Sequence, residues 1–144
     1  MIQLSDNLWI GNSSTRLYEI RAAKIGGVLN VALDLRSNIG WPEVEYMQVG
    51  IIDGPGNPPS AYCAAVLALT ALRSRHRVVV YCHTGGRSLA VVMMYINMTT
   101  PYAPIRWDDM MSILSERTDA RLPPVHEAHR SAFEEINWRQ LVGI

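Results

Sequence analysis

The sequence predicts an α/β domain with a mainly parallel central sheet flanked by helices. Three observations predict it. Apolar runs of strand length alternate with amphipathic stretches of helical length. The run RVVVY (77–81) has no polar alternation, as expected of a central strand buried on both faces. Glycine and proline clusters separate the runs, at 26–27, 53–59 and 85–86.

In order, Asp6-Asn7 precede a short strand, LWIG, closed by Gly11. STRLYEIRAAKI (14–25) has helical spacing through Leu17, Ile20 and Ile25, with Ser13 or Ser14 as cap. Gly26-Gly27 end it, and VLNVAL (28–33) is a buried strand. Residues 34–45 are polar and read as loop. EYMQVGII (45–52) is a further strand, and Asp53-Gly-Pro-Gly-Asn-Pro-Pro (53–59) is a turn-rich loop. Ser60 starts a helix that ends in basic residues, as the helix dipole favours. The 77–81 strand leads to a helix over 87–98. Pro101 and Pro104 break the chain, and 106–117 and 124–138 read as two last helices. No repeat and no low-complexity tract is visible.

The 144 residues fit one domain, taken as 1–144, large enough to bury a core. Apolar residues are 49% and charged residues 18%, a globular balance. Thirteen basic and thirteen acidic side chains give a formal net charge of +0, which argues against nucleic acid or an anionic membrane as partner. Two cysteines make no disulfide scaffold, so the cytoplasm is the expected compartment. MIQLSDNLWIGN lacks the basic start and long apolar core of a signal peptide, and no apolar run reaches a membrane span.

The chemistry concentrates in VVVYCHTGGRSLAVV (78–92). In open α/β sheets ligands bind beyond the C-terminal ends of strands, and Cys82 sits there. Gly85 and Gly86 let the backbone curl so that successive amides point inward, and the helix start that follows attracts anions. Arg87 adds a planar fork for two oxyanion oxygens. The same field favours a thiolate at Cys82, a nucleophile at neutral pH. Ser88 can donate to the sulfur and help it leave. The plain alternative is a buried structural cysteine beside a tight strand-to-helix turn.

The chain is similar here to the dual-specificity protein tyrosine phosphatases, which carry His-Cys-x5-Arg-Ser/Thr between a buried strand and a helix. NLWIGN (7–12), IGGVLNVALDL (25–35) and EYMQVGIID (45–53) resemble that family's early strands, and ERTDARLPP (116–124) resembles the region before its last helix. Residues 7–98 match in order and spacing. Two departures stand out. Only four residues separate Cys82 from Arg87, and Tyr81 stands where the family has His. Both features resemble the Tyr-Cys-x-x-Gly-x-Arg-Ser loop of rhodanese-like sulfurtransferases.

The resemblance implies a cysteine-based phosphatase fold. It implies Cys82 as nucleophile and Arg87 with the amides of His83, Thr84, Gly85, Gly86 and Ser88 as phosphate cradle. Ser88 assists thiolate release, and Asp53 takes the place of the family's general acid. Asp53 lies 29 residues before Cys82 on a loop after a strand, where an acid can protonate a leaving alkoxide or phenoxide. Asp-Gly-Pro also suits a turn without catalysis. The implied substrates are phosphotyrosine, with phosphoserine and phosphothreonine beside it, on proteins or small phosphomonoesters, with no metal or organic cofactor. A persulfide-carrying sulfurtransferase and a phosphate-binding module without turnover stay open as alternatives. Asp53 and residues 7–35 oppose the first, while Cys, Arg, Ser and a candidate acid oppose the second.

Elsewhere, Cys63 reads as a small core residue, with a redox partnership to Cys82 as the sharper alternative. His126 and His129, three apart on a helix, have the spacing to share a metal but no third ligand, so a solvated or capping pair is expected. His83 is expected to tune the loop. Asp34 and Arg36 follow a strand and are expected at the rim of the site or in solvated loop. Trp41, Tyr46 and Tyr102 read as core or as pocket walls, and Met93, Met94 and Met98 as core.

Overall fold

The computed structural model describes residues 1–36, 43–100 and 104–136. Its elements run β1 (Ile2–Ser5), β2 (Leu8–Gly11), α1 (Leu17–Ala22), β3 (Gly27–Ala32), β4 (Glu45–Ile51), α2 (Pro59–Arg73), β5 (Val78–Tyr81), α3 (Gly86–Thr99), α4 (Trp107–Glu116) and α5 (Glu127–Glu135). The strands form one sheet in the order β1-β2-β5-β3-β4. β5 lies at its centre, parallel to both neighbours, with Val78 beside Leu8 and Gly27 and Tyr81 beside Gly11 and Asn30. β3 and β4 are also parallel, and only the β1–β2 pair is antiparallel.

The alternation of side chains along β5 divides the core. Val78, Val80 and Cys82 join a large cluster with residues of α2, α3, α4 and α5. Val79 and Tyr81 face the other way, into a smaller cluster with Trp9, Ile20, Ile25 and Val28. Each buried valine there contributes roughly 1.5–3 kcal/mol over an exposed one. A strand that must be apolar on both faces is therefore the natural centre of the sheet. α3 is buried almost all round, Met93, Met94 and Met98 included, so the helix that follows the Cys82 loop is anchored in the core.

Several expectations shift. β1 is an additional strand that no sequence signal identified. It pairs with β2 as a hairpin across Asp6-Asn7. α1 is shorter than 14–25 because the turn before it runs on to residue 15. Neither Ser13 nor Ser14 caps α1. Asn12 Oδ1 accepts from the Ser14 amide, and the Glu19 carboxylate accepts from the Arg16 amide at the cap. α2 starts at Pro59, whose ring presets the first helical turn. α5 starts at Glu127 rather than residue 124, with the His126 ring accepting from the Ala128 amide. Positions 137 and 138 of that expected helix, and Trp41, Pro101 and Tyr102, lie outside the described residues. Among the described residues no helix is long and apolar enough to cross a membrane.

One buried polar side chain shapes the end of β3. Asn30 is fully buried; its Oδ1 accepts from the Ala32 amide and its Nδ2 donates to the Leu35 carbonyl and the Tyr46 hydroxyl. It folds the chain after β3 so that Asp34 returns over the sheet's end, and it places Tyr46 in packing. Asn30→Leu leaves the buried Ala32 N–H without its acceptor. The expected loss is about 2 kcal/mol of unfolding free energy, measured by urea denaturation.

Candidate active site

Cys82 follows the last residue of β5 and is fully buried. Three donors point at its sulfur. The Gly85 amide lies 3.2 Å away, the Ser88 amide 3.4 Å and the Ser88 hydroxyl 3.1 Å. An anionic sulfur is the acceptor that such a set suits best. The Ser88 hydroxyl also lies 3.4 Å from the Gly11 carbonyl, so it has a second resting partner.

The loop closes in four residues because Gly85 takes φ +96°, which an L side chain rarely adopts, and caps α3 with its carbonyl accepting from Leu89. Behind it, a Cβ on Gly86 would stand 2.5 Å from the Pro124 carbonyl oxygen, so only glycine fits. The other side is held by the β2–α1 turn. The His83 carbonyl accepts from both the amide and the hydroxyl of Ser13, at 3.0 and 3.1 Å. Thr84 and Gly85 also border a cavity of about 790 Å³ walled by Trp107, Leu122, Pro123 and Arg130.

Arg87, only 2% exposed, reaches from α3 to the ends of two strands. Its Nη1 donates to Asp34 Oδ1 at 2.9 Å and to the Ile51 carbonyl at 2.7 Å. The Arg87 bond holds the Asp34 carboxyl below its ordinary value, against a smaller desolvation effect. His83 Nε2 lies 3.5 Å from the other Asp34 oxygen. Asp34 is thus at the site and not merely solvated loop. Arg87 Nε is buried and has no acceptor among the described residues. A buried guanidinium nitrogen left so calls for an external oxyanion.

Asp53 follows β4, two residues after the Ile51 carbonyl that holds Arg87. Its loop is stapled by Asn57, whose side chain accepts from the Ile52 amide and donates to the Ile52 and Gly54 carbonyls. Asp53 Oδ1 lies 3.1 Å from Nε2 of His129, and His129 Nδ1 lies 2.8 Å from the Tyr62 hydroxyl. His129 is completely buried, which corrects the expectation of a solvated residue. His126, by contrast, does cap α5. The structure brings Cys82, His83, Gly85, Arg87 and Ser88 into one loop and ties Asp53 to the same strand ends. Asn57, Tyr62 and His129 are the residues that sequence reasoning missed. Their contacts with one another and with Asp53 include spans of 67 and 76 residues, and no local pattern announces them. Cys63 is half-buried against the core, where burial pushes its thiol up. Among the described residues no three His, Cys, Asp or Glu side chains group as a metal site.

No protein-family model and no curated protein sequence matches the chain. Solved structures do. Human DUSP28 superposes with a TM-score of 0.73 at 17% identity over 99% of this chain and 98% of its own. The human tyrosine phosphatase-like serine/threonine/tyrosine-interacting protein gives 0.73 at 18% over 94% and 93%. The Yvh1 phosphatase domain from Chaetomium thermophilum gives 0.70 at 19% over 92% and 91%. The fold is therefore that of the dual-specificity phosphatases, as the resemblance implied.

If Arg87 is the oxyanion clamp, inorganic phosphate or tungstate will slow alkylation of Cys82 by iodoacetate. Arg87→Lys, which loses the fork, is expected to weaken that protection about tenfold, read from the anion concentration that halves the alkylation rate.

Proposed function

We propose that the chain is a cysteine-dependent protein phosphatase that hydrolyses phosphotyrosine, with phosphoserine and phosphothreonine as further substrates. One observation carries the reading: the Cys82 sulfur, held by three donors, shares its loop with a buried Arg87 whose Nε awaits an acceptor. The fold's likeness to dual-specificity phosphatases supports it. We take residues 1–144 as one catalytic domain acting in the cytoplasm, where Cys63 and Cys82 stay as free thiols.

In the first step the Cys82 thiolate attacks phosphorus. A P–S bond forms as the P–O bond to the leaving group breaks, and the Asp53 carboxyl gives its proton to the departing oxygen. Arg87 and the loop amides hold the three equatorial oxygens, where charge develops. In the second step water attacks phosphorus, the Asp53 carboxylate takes the water's proton, and the P–S bond breaks. The Ser88 hydroxyl, 3.1 Å from the sulfur, stabilises the returning thiolate. Inorganic phosphate leaves.

The four-residue spacing favours one second reading, sulfur transfer through a Cys82 persulfide. That chemistry needs no proton from Asp53, so the two readings separate cleanly. With p-nitrophenyl phosphate, Cys82→Ser is expected to abolish turnover and Asp53→Asn to slow it roughly a hundredfold. Sulfur transfer from thiosulfate to cyanide is expected to be absent. A Cys82-dependent sulfur transfer that ignores Asp53, with no phosphate release, reverses the assignment.

A further inference from the structure

We infer that His129 is a positioning residue that orients the Asp53 carboxyl, so that Oδ1 accepts a hydrogen bond and the transferable proton sits on Oδ2. The inference rests on the phosphatase reading and names how its acid is held.

The argument starts from a buried ring with two polar partners. His129 is 0% exposed, and each of its nitrogens meets an oxygen: Nε2 to Asp53 Oδ1 at 3.1 Å and Nδ1 to the Tyr62 hydroxyl at 2.8 Å. Asn57 Nδ2 lies 3.3 Å from that same hydroxyl. That nitrogen has no lone pair to accept with, so among the described residues Nδ1 of His129 is the acceptor that the Tyr62 O–H meets. One arrangement then satisfies every group. Tyr62 O–H donates to Nδ1, and Nε2–H donates to Asp53 Oδ1. The reverse tautomer leaves the Tyr62 O–H without that acceptor and sets Nε2, a bare lone pair, against a carboxylate. If Asp53 were protonated in that reverse state, its proton would point at the ring and not at a substrate.

The directed chain therefore decides which carboxyl oxygen is the acid. Oδ1 is occupied by an N–H, and the 47%-exposed carboxyl keeps Oδ2 for the proton. The order survives both steps, because Oδ1 accepts equally from Nε2–H when Asp53 is charged. Burial pushes the His129 ring below its ordinary value, the nearby Asp53 carboxylate opposes this, and His126 and Arg87 add to the lowering. Those groups, with Tyr62 on α2, are the charged and titratable neighbours that face it, and a neutral ring is the state they favour. Burial also pushes the Tyr62 phenol up, which keeps its O–H as a donor. His126 stacks edge-on at 5.9 Å and is committed to capping α5.

The test compares leaving groups. Loss of acid positioning slows esters with poor leaving groups and spares activated ones, whereas a general loss of structure slows both alike. His129→Leu is expected to lower kcat/KM, which reports the leaving-group step alone, about tenfold on phenyl phosphate and less than about twofold on 2,4-dinitrophenyl phosphate. His129→Gln, whose side-chain amide restores a donor, is expected to recover most of the loss. Tyr62→Phe, a smaller change in packing, is expected to lower kcat/KM on phenyl phosphate about threefold. In an Asp53→Asn background His129→Leu is expected to add no further loss. Nitrogen NMR of the wild type is expected to show His129 protonated on Nε2 and bare on Nδ1 at pH 7, a readout that holds even where a variant fails to fold. Equal losses on both esters, additivity with Asp53→Asn, or a protonated Nδ1 overturns the inference alone. Wild-type protein without Cys82-dependent hydrolysis of either ester overturns it together with the phosphatase reading.

Discussion

The site depends first on a charge taken out of water. Arg87 is buried at the start of α3, and a buried guanidinium is tolerable only when paired and hydrogen-bonded. Its partners come from the ends of two different strands, Asp34 after β3 and the Ile51 carbonyl at the end of β4. One side chain thus fastens the helix that carries the loop to the sheet edge that carries Asp53. Among the described residues its buried Nε has no acceptor, and that shortfall is the chemical signature of the site. A fully satisfied arginine would be a structural strut; this one keeps a donor in reserve where an oxyanion would sit.

The same economy runs through the Asp53 loop. Asn57 takes over the role of a neighbouring strand, bonding both backbone groups of Ile52, so the chain leaves the sheet edge in a defined direction. The same amide touches the Tyr62 hydroxyl, and so joins loop backbone to the buried ring system beneath Asp53. Backbone order and side-chain order are one network here. A loop of Gly-Pro-Gly-Asn-Pro-Pro would otherwise be expected to hold Asp53 loosely.

What the sequence reveals and what it hides divide along sequence distance. The Cys82 loop is readable because its parts are contiguous: a valine run that must be central, two glycines, an arginine and a helix start. The places of β2, β3, β4 and β5 along the chain follow from apolar runs and breakers. β1 escapes because four residues, Ile-Gln-Leu-Ser, are too few to show a period, although Asp6-Asn7 is a turn signal that marks its hairpin. The α1 cap escapes because Ser13 is drawn away to the His83 carbonyl, a contact across 70 residues. His129 is the largest miss. Flanked by Glu127, His126 and Arg130 it reads as a solvated helix face, and only the fold shows that α5 turns this one ring into the core. Burial of a polar residue is decided by what lies opposite, and a one-dimensional pattern cannot carry that.

The segment behind the loop has a bearing on how such sites diversify. Pro124 presses so closely against Gly86 that no side chain fits there, and Pro123 crowds Gly85, whose positive φ already favours glycine. Ser13 clamps the opposite end through His83. The four-residue spacing is therefore matched to its surroundings and is not a bare deletion. Restoring a fifth residue by itself would push the new backbone into the proline wall or off the Ser13 clamp. Loop length, the Leu-Pro-Pro stretch and the β2–α1 turn therefore form a single packing unit, in which a change to one is felt by the other two.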